Sequence, residues 1–234
     1  MDLGTLHLPE QAPVLEKPFS WISVPEHGWF LVGAALLMLL LLPELLALMP
    51  SVSGAISRRR GNLEIEHSLS VARSRNYCAR MLTVPFLIAV DRYGLYPASF
   101  LAPRGEPWLR IAEIAGVFVG FVLLRLLAFG IIFKVWPPRM DNESRTTVRK
   151  GLYNYFVVFS VLMLVSVCLL TVFRADDELI CLIMWVEMGL LWLLSFLREH
   201  QFLASKCSGL GTFLYLCGLE ILPVGVLIAS ALLL

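Results

Sequence analysis

A chain of 234 residues with 58% hydrophobic and 16% charged side chains cannot clothe a soluble domain, which runs about 45–50% apolar and about 25% charged. Its mean hydropathy of +0.77 and its long apolar blocks point to an all-α, polytopic transmembrane bundle. Nineteen basic residues against 18 acidic ones leave a net charge of +1, not the domain-wide basic excess of a nucleic-acid binder.

Residues 1–28 read as an outer N-terminal segment. They lack the basic-then-apolar order of a cleavable leader, so the first apolar block is expected to remain as a span. Apolar blocks able to cross the membrane, which takes about 20 helical residues, lie at 29–49, 109–135, 152–173 and 212–234, with a slightly shorter one at 179–197. Segment 81–103 is ambiguous. It joins ten mostly apolar residues to Asp91-Arg92 and an aromatic half interrupted by Gly and Pro. Hydropathy alone allows a span, a re-entrant segment or an interfacial helix.

The distribution of basic residues arbitrates, because inner loops are enriched in Lys and Arg. If 81–103 crosses, there are six spans and both termini lie outside. The inner side then holds Arg58, Arg59, Arg60, Arg73, Arg75, Arg80, Arg139, Arg145, Arg149, Lys150, Arg198 and Lys206, twelve in all. The outer side holds Lys17, Arg104 and Arg174, and Arg92, Arg110, Arg125 and Lys134 fall within or beside spans. Without that crossing the two sides carry nine and seven, and the asymmetry vanishes. Six spans is the better reading. Trp21, Trp29, Trp108 and Trp136 flank the spans where an aromatic belt would lie.

Residues 51–80 form the one sizeable inner-face element, expected to hold a short helix from about Leu63. Its Arg58-Arg59-Arg60 cluster either fixes topology or meets anionic headgroups. The five cysteines, Cys78, Cys168, Cys181, Cys207 and Cys217, include no CxxC pair and read as inert thiols. No HExxH, GxSxG or Gly-rich phosphate loop occurs, so no catalytic residue, cofactor or metal is expected. His67 with Glu199 and His200 could converge at the inner face as an acid–base set for a lipid-modifying enzyme, against the plainer reading of solvated interfacial residues.

Ionisable groups at membrane depth are costly and mark candidate sites. At about 1.5 Å per residue, Glu44 lies about 9 Å from the inner end of its span, and Asp91, Arg125, Glu187 and Glu220 about 14–15 Å. With Arg92 they form an expected intramembrane polar layer. Arg125 can hold two carboxylates through its forked donors, and Glu220 or Glu187 is its expected partner. The layer suits an ion-pair cluster that orients helices, a contact surface for a partner's helix, or an ion-coupling site. Pro43 beside Glu44 and Pro223 after Glu220 each free a backbone carbonyl one turn back, as in the broken helices of transporters. The two halves of the chain show no inverted repeat.

The stretch from Phe213 to Pro223, FLYLCGLEILP, together with RLLAFGIIFKVW upstream and GLYNYFVVFSVLMLV between them, resembles an uncharacterised family of polytopic inner-membrane proteins of the Bacteroidota. That family carries a closing FLYLCxLEILP signature. The resemblance implies a multi-pass protein of a bacterial inner membrane and brings no activity or cofactor with it. The expectation is a non-enzymatic subunit or accessory factor of an envelope-biogenesis or secretion complex, touching lipid and other membrane proteins through its helices. The alternative is a small ion-coupled transporter using the polar layer.

Overall fold

The computed structural model describes residue 21 and residues 25–57, 61–97, 100–101, 106–135, 142–205 and 209–233. Among them the regular structure is helical throughout: α1 (Pro25–Ser57), α2 (Gly61–His67), α3 (Leu69–Tyr93), α4 (Pro107–Val135), α5 (Asn142–Val172), α6 (Asp177–Ala204), α7 (Gly209–Leu216) and α8 (Leu222–Leu233). A π turn, Cys217–Ile221, joins the last two. Backbone groups in hydrocarbon find no water, so a chain of apolar blocks satisfies them within helices. Arg58, Arg59 and Arg60 lie outside the described residues, as do Trp136 and Cys207.

Among the described residues five helical stretches are long and apolar enough to cross a membrane: Pro25–Ile56, Pro107–Lys134, Arg145–Val172, Asp177–Ala204 and Gly209–Ala231. The chain is a multi-pass membrane protein, and these apolar surfaces meet the lipid. Segment 81–103 is not a helix of its own. Its first part is the second half of α3, which begins at Leu69 and ends at Tyr93. The expected inner loop is also largely helical, with 51–57 continuing α1 and α2 lying slightly ahead of its expected start.

Gly94 stops α3. It takes the left-handed conformation at φ 61° and ψ 35°, and its N–H bonds back to Asp91. The Leu95 N–H reaches the Val90 carbonyl at 3.0 Å, and Val90 and Leu95 pack in one core cluster. This is the Schellman arrangement, which glycine accepts without a Cβ penalty.

α3 is long enough to span but carries Arg73, Arg75, Arg80, Asp91 and Arg92. It is nevertheless the most enclosed of the long helices, packed against α1, α2, α4, α5 and α6. The usual logic of burial is inverted here. In lipid the apolar helices form the surface, and a helix that carries five charged residues is shielded by its neighbours. One core cluster joins Leu41, Leu45 and Leu48 of α1 to Cys78 and Leu82 of α3 and to Tyr155 of α5. A second unites the end of α3 with Met163 of α5 and Ile180 and Met184 of α6. A third, Phe133, Val148, Leu203, Tyr215 and Leu219, holds α7 and the π turn to the α4–α6 side.

Candidate functional site

The six residues expected to form one layer are distributed over several separate clusters. Asp91, 1% exposed, sits in the last turn of α3. Its Oδ1 accepts from Arg110 Nε at 2.6 Å and its Oδ2 from Trp21 Nε1 at 2.8 Å. His27 stacks on Trp21 with ring centroids 3.9 Å apart. Its Nδ1 lies 2.6 Å from the Trp21 carbonyl; since a carbonyl only accepts, that nitrogen donates. His27 Nε2 then faces Asp91 Oδ2 at 3.9 Å. Arg92 covers the Trp21 ring at 5.8 Å and the Tyr93 ring at 5.2 Å, a cation–π arrangement rather than a carboxylate pair. Trp21 is therefore buried and a donor to Asp91, whereas Trp29 and Trp108 are exposed as belt residues would be.

Arg125 of α4 anchors the second cluster. Its Nη2 donates to Glu220 Oε1 at 2.5 Å and to Glu199 Oε1 at 3.2 Å, and all three side chains are at least nine-tenths buried. Glu220 was the expected partner, and Glu199 takes the place considered for Glu187. Twelve residues along α6 amount to about 18 Å and a rotation of about 120°, so Glu187 and Glu199 face different neighbours. Glu187 instead accepts from Ser166 of α5. Arg125 Nε and one oxygen each of Glu199 and Glu187 are buried without a hydrogen-bond partner among the described residues.

The chain around Glu220 is shaped for this contact. Pro223 has no N–H to give the Leu219 carbonyl, and the ladder just before it shifts to π spacing, with Leu222 N–H bonding to the Cys217 carbonyl. Gly218 lies so close to α4 that a Cβ there would fall 2.1 Å from Ile132 Cδ1.

Depth separates the clusters. Arg125 lies fifteen residues beyond Arg110 on α4, about 22 Å along the axis. Asp91 and Arg92 thus belong near one end of the bundle rather than beside Arg125. The helix carrying them begins twelve residues before position 81, and this displaced the depth estimate. Glu44 is exposed and accepts from Ser74 Oγ at 2.8 Å.

A third buried cluster centres on Arg75, read from sequence only as a topology residue. It is fully buried. Its Nη1 donates to Glu66 Oε1 of α2 at 2.5 Å and to Asn154 Oδ1 of α5 at 3.2 Å. Lys150 Nζ closes on the other Glu66 oxygen at 3.4 Å. A signal was available: Arg75 falls on the stripe formed by Ala72, Ala79 and Leu82, spaced as one helix face.

The histidine grouping is not assembled. His67 ends α2 and His200 is exposed, whereas Glu199 turns inward to Arg125. Among the described residues no three His, Cys, Asp or Glu side chains are grouped so as to hold a metal ion. Cys78 is buried, Cys168 exposed, and Cys181 and Cys217 intermediate, all as free thiols.

No curated protein and no solved structure matches the chain. The matched family region, residues 79–230, includes Asp91, Arg92, Arg110, Arg125, Glu187, Glu199 and Glu220, while Glu44 and Arg75 precede it. The apolar helices, the charged helix enclosed among them and the Arg125–Glu220 pair thus belong to a member of the family described as domain of unknown function (DUF4271).

Proposed function

We propose that this chain is a non-enzymatic component of a larger assembly in a bacterial inner membrane, joined to other membrane proteins by transmembrane helix contacts. In this reading α3 makes a sixth crossing, both termini lie outside, and α2 sits at the inner face with the basic residues. The setting is envelope biogenesis or secretion, as the resemblance to Bacteroidota inner-membrane proteins suggests.

One observation carries the reading. Only 11% of the most apolar window of α4 is buried within the chain. Its outward face presents Gly116 and Gly120 with nothing within 4 Å of where their Cβ atoms would be, beside exposed Val119 and Leu123. Two glycines four apart let a second helix backbone approach closely, and such contacts drive helix association in lipid. The buried ion pairs, by contrast, are occupied in holding this chain's own helices. Gly120→Ile places a branched side chain in that approach. Native electrophoresis of mildly solubilised membranes should then show the complex collapsing to the free chain at unchanged abundance. Identical migration of wild type and variant would remove the α4 contact.

A second reading, an ion-coupled carrier, draws on Arg125. Two carboxyl groups share one guanidinium, so one cation faces two potential anions and the surplus group can exchange a proton. Glu220→Gln should abolish proton uptake into vesicles containing a trapped pH dye while the protein accumulates normally. Wild-type vesicles as proton-tight as protein-free ones would exclude this reading.

A further inference from the structure

α4 and α5 enclose a groove whose walls include Leu126, Phe129 and Leu152, and whose polar lining is Arg125, Arg149 and Tyr153. Among the described residues no carboxylate lines it. Glu220 and Glu199 occupy Nη2 of Arg125, leaving its Nε a buried donor with no acceptor among the described residues. Arg149 is exposed and has no ion-pair partner among the described residues. A buried guanidinium edge without an acceptor and a second guanidinium beside it make a cradle for an anion. The apolar walls adjoining it are made for hydrocarbon.

We propose that this groove binds an acidic phospholipid, with the phosphate held by Arg149 and the Nε edge of Arg125 and an acyl chain lying along Leu126, Phe129 and Leu152. The position suits such a ligand. Arg149 lies seven residues into α5, about 10 Å along the helix, where a headgroup meets the hydrocarbon. Arg145 and Lys150 of the same helix end add to the field that draws anionic lipid, as in basic pockets between transmembrane helices. Arg149 can be substituted without disturbing the fold, because it is exposed and engages no other described side chain. Arg125 cannot, because it holds Glu220 and Glu199.

The test uses the full chain reconstituted in nanodiscs of phosphatidylglycerol or phosphatidylcholine, followed by detergent extraction and quantification of the lipid retained. Wild type should retain phosphatidylglycerol selectively and unfold at higher temperature in that lipid. Arg149→Gln should lower the selective retention about fivefold, the worth of one basic residue at the surface, and Arg149→Lys should recover most of it. Leu126→Trp, which fills the groove without changing charge, should displace the lipid as well. Retention of both lipids in equal proportion by wild type would overturn the proposal, and so would undiminished selectivity in Arg149→Gln. Inorganic phosphate raising the unfolding temperature in phosphatidylcholine as far as phosphatidylglycerol does would reassign the groove to a free anion, and that too would overturn it.

Discussion

Sharing Arg125 between two carboxyl groups has a measurable consequence for stability. The same Nη2 meets Glu220 at 2.5 Å and Glu199 at 3.2 Å, with side-chain exposures of 9% for Arg125, 3% for Glu220 and 5% for Glu199. In Glu220→Gln the amide oxygen still accepts from Arg125, and Glu199 remains to balance the charge. The loss is then that of a polar contact between membrane helices, about 0.6 kcal/mol on average and about 1.7 at most. Glu199→Gln should behave alike. The double variant leaves a buried guanidinium facing only neutral acceptors, and uncompensated buried charge costs about 3–5 kcal/mol. The double should therefore exceed the sum of the singles, by up to a few kcal/mol. Equilibrium unfolding in mixed micelles, followed by tryptophan fluorescence, measures all three against wild type. If the double variant loses only the sum of the singles, the carboxyl groups act independently and the shared cluster is refuted.

Other predictions follow from local geometry. Gly218→Ala should cost about 1 kcal/mol, at the low end for overpacking, because the encroaching atom is the mobile Ile132 Cδ1; Ile132→Val, which removes that atom, should restore stability in the double variant. Arg174 closes the α5–α6 turn at φ 54°, a conformation that costs a non-glycine residue about 1–2 kcal/mol, so Arg174→Gly should raise the unfolding temperature. Arg75→Leu strips Glu66 of its closest cation and should cost about 3 kcal/mol, whereas Leu at exposed Arg73 or Arg80 should change stability by less than about 0.5 kcal/mol. A cysteine at Arg104 should react with an impermeant reagent from the outer face; labelling only after permeabilisation would remove α3 as a crossing.

The class of the protein and most of its helices were legible in the residues, because hydrocarbon leaves an apolar block little choice but to satisfy its backbone within itself. The Arg125–Glu220 pair was legible as well, from the scarcity of charge at that depth. Glu199 was missed because it lies only a few residues from the end of α6, beside exposed His200, and reads as an interfacial residue; the packing of α7 on α6 and the Arg125 guanidinium hold it inward. The engagement of Trp21 with Asp91 joins positions seventy residues apart, and no local pattern announces it.

What the sequence alone determined is the membrane habitat, the five apolar spans and the presence of a few costly charges, all of which depend on composition over about twenty consecutive residues. Tertiary structure decided which charges meet and where α3 belongs. A hydropathy window charges each polar group as though lipid surrounded it, and Arg75 and Asp91 escape that cost because neighbouring helices surround them instead. The low charge content that first excluded a soluble fold thus became, after folding, three separate buried clusters on Asp91, Arg75 and Arg125, each with a partner far along the chain: Trp21, Asn154, and Glu199 with Glu220.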